Sequence, residues 1–236
     1  GRRGGEGRGG GAMTIYGVAL CLHDSPRAAA LKAELKRTEL DAITSVVYSH
    51  RDWKDGVRGC FHSHQRALRR ALSHPEWNDE TDAVLVLEDD VVFDQGGDYL
   101  RESLRRCHVA LDQGVADVVA VGGVPVLPLR RTCCQHVKRT KFQMTHAYMV
   151  KRRGAEMIMS WQFVRHHRPL RIHDHVDQQM ALRMRQAILH PTVAFQRANP
   201  DVSTTAAGGG YLLLTALRDM VQQRNLQKGS EWVASV

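Results

Sequence analysis

The sequence predicts an α/β protein, a sheet flanked by helices, and three observations carry that expectation. Short apolar runs rich in Val, Ile and Leu alternate along the chain with longer stretches of helical periodicity. One of these runs, Ala83-Val84-Leu85-Val86-Leu87, is apolar on both sides of its pleat, as a strand buried on both faces should be. It ends in three consecutive carboxylates, Glu88-Asp89-Asp90, before Val91-Val92-Phe93 restores the apolar character. Open α/β sheets bind ligands beyond the carboxyl ends of their strands, which is where these acids fall.

A chain of 236 residues suits one domain with appendages, and a hydrophobic content of 43% is enough for a sizeable core. Residues 1–12 read as a Gly/Arg-rich tail too poor in apolar residues to fold, 13–198 as the folded domain, and 199–236 as a polar linker and an amphipathic helix. No run reaches the roughly 18 consecutive apolar residues that span a bilayer, and the N-terminus has no apolar signal region, so a soluble, cytoplasmic protein is expected. Five cysteines, an odd number with no CxxC pair, point to reduced thiols. Cys133-Cys134 with His136 has the chemistry of a soft-metal site, but adjacent cysteines chelate one ion poorly. The formal net charge is +8, of which the tail's three arginines less one glutamate supply +2. Such a balance attracts phosphates, nucleic acid, nucleotides, or an anionic membrane or polymer.

Residues 14–22 predict the first strand, and Ser25 as N-cap with Pro26 at the first helical position predicts a helix to about residue 40. Residues 43–48 predict a second strand, and 57–74 a second helix whose apolar face carries Phe61, Ala67, Leu68, Ala71 and Leu72. At its start Gly56 and Gly59 allow close backbone approach to a ligand, while Cys60 and Ser63, one turn apart, allow tight packing under the sheet. Either purpose explains a glycine-rich helix start taken alone. If the acidic strand stays extended through Phe93, alternation puts Glu88 and Asp90 on one face and Asp89 on the other. Two carboxylates at one spot repel unless a cation lies between them, and oxygen-only ligation suits Mg²⁺ or Mn²⁺. An acidic strand end turned to water is the competing reading.

Residues 99–111 predict a helix and 116–121 a strand ended by Gly122-Gly123. Residues 130–141 read as a loop with five positive charges and no acid, either facing a diphosphate or anionic acceptor or simply solvated. A strand over 142–150 and a helix over 153–165 follow. His173, Asp174, His175 and Asp177 then place four metal- or base-capable side chains within five residues, before a helix predicted over 178–188. Asp177 reads either as part of a site or as a helix N-cap. Residues 190–196 predict a last strand. Over 211–227, Leu213, Leu214, Leu217, Met220 and Val221 recur at helical spacing, suited to docking on the domain, a partner or an anionic membrane.

Several of these pieces stand in a familiar order: Ile15-Tyr16, Ser25-Pro26-Arg27, Gly59-Cys60-Phe61-His62-Ser63-His64, Val86-Leu87-Glu88-Asp89-Asp90-Val91, Asp117 to Gly123, His146-Ala147-Tyr148-Met149-Val150 before Gly154-Ala155, Val176-Asp177, and His190-Pro191 with Gln196. Together they resemble glycosyltransferase family 25, which includes lipooligosaccharide galactosyl- and glucosyltransferases and collagen galactosyltransferases. The resemblance covers about residues 14–196. It implies a GT-A fold, a Rossmann-like mixed sheet that binds a nucleotide sugar with a divalent cation, Mn²⁺ or Mg²⁺. In that likeness Asp90 ligates the cation, Glu88 contacts the cation or the ribose, Ser63 and His64 lie beside the nucleotide sugar, and Arg27 joins the donor-binding set. His175, from the crowded segment, is a further metal candidate.

The expected reaction moves a hexose, galactose or glucose, from a nucleotide diphosphate sugar such as a UDP-sugar to a hydroxyl of a glycan or protein acceptor. Asp177, or failing it Asp174, would deprotonate that hydroxyl. Inversion follows from the resemblance alone, and a retaining course is compatible with the same residues. Two readings from other classes compete: a nucleic-acid-binding protein or metal nuclease, and a catalytically silent nucleotide-sugar binder. The first would need base-stacking aromatics among its positive charges, and residues 130–141 contain none.

Overall fold

The computed structural model describes residues 14–163 and 175–197. The expectations for the N-terminal tail, His173, Asp174 and the helix over 211–227 lie outside the described residues. Nine strands and five helices are described: β1 (Ile15–Leu22), α1 (Ala28–Arg37), β2 (Thr44–Ser49), α2 (Gly56–Leu72), β3 (Ala83–Glu88), β4 (Val91–Phe93), α3 (Gly97–Asp112), β5 (Val118–Pro125), β6 (Val137–Arg139), β7 (Phe142–Val150), α4 (Arg152–Ser160), α5 (Val176–Arg183), β8 (Gln186–Leu189) and β9 (Ala194–Gln196). Seven strands make one mixed sheet in the order β2-β1-β3-β7-β5-β8-β6, and β4 pairs with β9 in a separate ribbon. The α/β, Rossmann-like class expected from the sequence is therefore the class observed. Among the described residues, no helix is long and apolar enough to cross a membrane.

Alternation along the strands divides the core into two layers. Leu85 and Leu87 of β3 face α1 and α3, packing with Leu31, Leu35, Leu100 and Leu104. Val84 and Val86 face the other way, into a layer with Phe61 and Leu68 of α2, Ile158 of α4 and Met180 of α5. All five residues from Ala83 to Leu87 are wholly buried, so the run predicted to be covered on both faces is covered by helices on both.

Several expectations are corrected. The acidic strand ends at Glu88, turns through Asp89 and Asp90, and resumes as β4, so strict alternation does not govern the three carboxylates. Helix α1 starts at Ala28 with Arg27 as N-cap and no side-chain cap, because the Ser25 hydroxyl donates to Asp89 Oδ2 instead, at 2.6 Å. The glycines 122 and 123 lie inside β5 rather than ending it. A Cβ on Gly122 would meet the Ala194 carbonyl oxygen at 2.1 Å, so its bare Cα is what lets β9 lie across the sheet.

The basic segment is not wholly loop: Val137 is buried, and β6 pairs with β8 at the sheet edge. Helix α4 stops at Ser160, where Gln65 of α2 donates to the carbonyls of Ile158, Met159 and Trp161. The predicted helix over 178–188 is really α5 followed by a wholly buried strand, β8, parallel to β5. A four-residue buried run has no periodicity to separate strand from helix, so neighbours decide. Asp177 is not an N-cap either. His175 occupies that position, and Asp177 sits in the first turn of α5.

Candidate functional site

Strand β1 is flanked by β2 on one side and β3 on the other, all three parallel, so the chain reverses its direction of travel across the sheet at this point. Such switch points open a crevice at the carboxyl ends of the strands. The crevice here is a cleft lined by the loop after β1, the end of β2, the first turns of α2 and the acidic turn after β3.

The floor is a charge cluster gathered from distant parts of the chain. Arg27 Nη1 donates to Asp89 Oδ1 at 3.1 Å and to Asp90 Oδ2 at 3.0 Å. Gln196, at the end of β9, donates through Nε2 to the same Asp90 oxygen at 2.7 Å. Asp90 Oδ1 is buried and accepts no hydrogen bond within the described residues. Burial, and after it the charge of Glu88, raises the Asp90 carboxyl to about 7, against the opposing pull of Gln196 and Arg27.

Beside this cluster, α2 presents its glycine-rich start. Asp55 caps the helix by accepting from Arg58 N at 3.1 Å. A Cβ on Gly59 would press on Asp52 Cβ at 2.9 Å, so the helix start and the β2–α2 loop touch because that side chain is absent. Ser63 Oγ donates to the Gly59 carbonyl oxygen at 2.7 Å and lies 3.1 Å from Ser49 Oγ, while Arg66 donates to both hydroxyls. His64 is fully buried, its Nδ1 3.1 Å from the Tyr148 hydroxyl and its Nε2 3.4 Å from Glu88 Oε1. Burial and the carboxylates of Glu88, Asp177, Asp90 and Asp89 push the Cys60 thiol well up.

The structure thus brings Arg27, Ser63, Glu88 and Asp90 together along one cleft, with His64 directly beneath. Asp177 lies close enough to add its charge at Cys60, yet both its oxygens are engaged: Oδ2 accepts from Met144 N at 2.9 Å and Oδ1 from Gln178 N at 2.8 Å. His175 heads α5, where its carbonyl accepts from Gln179 N. Among the described residues, the ligand-bearing groups that lie within reach of one another are instead Cys60, His64 and Glu88. Sequence reasoning gave Cys60 only a packing role, although it stands in the same motif as Ser63 and His64. It also missed Ser25 as a carboxylate partner and Tyr148 as the partner of His64. Sequence spacing carries no signal for either contact.

No protein-family model matches the chain, and no curated protein matches it.

Proposed function

We propose that the protein is a metal-dependent glycosyltransferase that transfers a hexose, galactose or glucose, from a nucleotide diphosphate sugar, UDP-linked in the first instance, to a hydroxyl of a glycan or protein. The observation that carries this reading is Asp90 Oδ1, a buried carboxylate oxygen without a hydrogen-bond partner among the described residues, at the switch-point cleft of an α/β sheet. An oxygen held dry and unpaired beside two further carboxylates fits a hard divalent cation, Mn²⁺ or Mg²⁺, ligated by Asp90 and Glu88. Bound there, the cation would offset the negative charge that grows on a departing diphosphate. Arg27, now on Asp89 and Asp90, supplies a guanidinium at the mouth of the same cluster, able to meet phosphate oxygens in bidentate fashion. Asp177 would take the acceptor proton, each engaged oxygen retaining a second lone pair. All five cysteines are free, which suits a reducing compartment such as the cytoplasm.

The deciding measurement is turnover of UDP-, GDP- and CMP-sugars with and without Mn²⁺. Metal-dependent hydrolysis or transfer is expected with UDP-hexoses. Tight donor binding without turnover would mark a silent binder, and neither binding nor turnover would overturn the reading. Asp177→Asn should cut turnover by about 10²-fold or more while donor affinity holds. Near-unchanged turnover would remove Asp177 from the mechanism.

A further inference from the structure

One group of side chains in the cleft has the wrong chemistry for Mn²⁺ and the right chemistry for a softer ion. Cys60 and His64 stand four residues apart on α2, one above the other on a single face, and both meet the end of β3 at Glu88. One ligand atom from each of the three lies within 4.8 Å of the others. Bonds of about 2.0–2.3 Å in a tetrahedral zinc centre separate ligand atoms by roughly 3.3–3.8 Å. The 3.4 Å between His64 Nε2 and Glu88 Oε1 is already one such edge. The two remaining edges both run to Cys60 Sγ, and closing them needs a shift of that sulfur of about 1.3 Å at most. Glu88 is a quarter exposed on the cleft.

Two independent features point to a ligand. His64 is completely buried, and its Nε2 makes no hydrogen bond within the described residues although Glu88 Oε1 stands 3.4 Å away, a spacing that suits two ligands of one ion. Its other nitrogen, Nδ1, is 3.1 Å from the Tyr148 hydroxyl. An Nδ1–H donated to that oxygen leaves the Nε2 lone pair directed at the gap, the outer-shell arrangement that orients metal-binding histidines. Cys60 and Glu88 also line the cleft, which gives an ion a route in and a fourth coordination position facing solvent.

We propose that Cys60 Sγ, His64 Nε2 and a Glu88 carboxylate oxygen form a three-ligand site for a borderline-soft divalent cation of the Zn²⁺ class, with its fourth position open to the cleft. The sulfur–metal bond forms as the thiol releases its proton to solvent. This set shares Glu88 with the all-oxygen set centred on Asp90 but takes its other two ligands from α2, and it does not depend on the glycosyltransfer reading.

Cobalt is the probe, because a tetrahedral Co²⁺ ion bound to a thiolate shows intense visible bands and a near-ultraviolet sulfur-to-metal charge-transfer band. Titration of the full chain should give both with one equivalent. Cys60→Ser should abolish the charge-transfer band, and Asp90→Asn should leave it in place. Absence of the band in the wild-type chain, its survival in Cys60→Ser, or its loss in Asp90→Asn would each overturn the proposal. Should Cys60→Ser fail to fold, X-ray absorption of the zinc-loaded wild-type chain decides: one sulfur with nitrogen and oxygen ligands supports the site. No sulfur, or the two sulfurs of Cys133 and Cys134, refutes it.

Discussion

Asp90 concentrates the electrostatic cost of the cleft in one side chain. Its carboxyl is held at about 7 in the folded protein, against roughly 3.9 in an unfolded chain. Between those values the folded state keeps a proton that the unfolded state has given up, so stability falls as pH rises across the window and levels off above it. Asp90→Asn keeps the neutral form at every pH. In chelator-treated protein it should therefore be more stable than wild type at about pH 8, with the gain shrinking toward about pH 4. Urea denaturation at both pH values checks this, and a pH-independent difference would show that ionisation of Asp90 is not the cause. The same variant should lose Mn²⁺-dependent donor binding, so stability and function pull in opposite directions at this residue. The sequence exposed the acids but not their pairing. A triplet of carboxylates says that charge is present, whereas the sharing of Arg27 between Asp89 and Asp90 depends on where the loop after β1 returns.

At the level of elements, the β4–β9 ribbon is what covers the acidic turn. Its position depends on Gly122, and His146 Nε2 on β7 adds a 3.2 Å contact to the Ala194 carbonyl oxygen. Gly122→Ala should displace β9 and cost about 1–3 kcal/mol, by analogy with overpacked cores. Denaturation midpoints would measure the loss, and an unchanged midpoint would show that the ribbon shifts freely. Strand β3 was readable because five consecutive apolar residues can only be buried on both faces. The break at Glu88 was not, since it follows from Asp90 being drawn toward Arg27 and Gln196. Strand β8 was hidden for a different reason: Gln186 looks polar, yet it is buried and its Oε1 accepts from Phe142 N at 3.0 Å. A buried polar side chain whose partner is remote backbone escapes any local pattern.

For the whole molecule, the sheet order places the crevice between β1 and β3, and a cleft stays open beside the carboxyl ends of these strands. The alternation of strands and helices was enough to anticipate that class of architecture, because each unit of the pattern can bury its apolar face only against the next. Residues 1–11 are compositionally separate from it. Their deletion should leave the melting temperature nearly unchanged by calorimetry, and a large drop would show that the tail packs on the domain. Gln196 and Asp90 are separated by 106 positions. A chain made from its N-terminus therefore exposes its acidic triplet long before the strand that covers it has been translated. Until β9 emerges, β1, β3, β5 and β7 can all pair while Asp90 has Arg27 but not its amide partner. Nascent chains arrested ahead of residue 194 would lack the Gln196 contact to Asp90, which makes the order of synthesis, as well as the final fold, a determinant of when this site first exists.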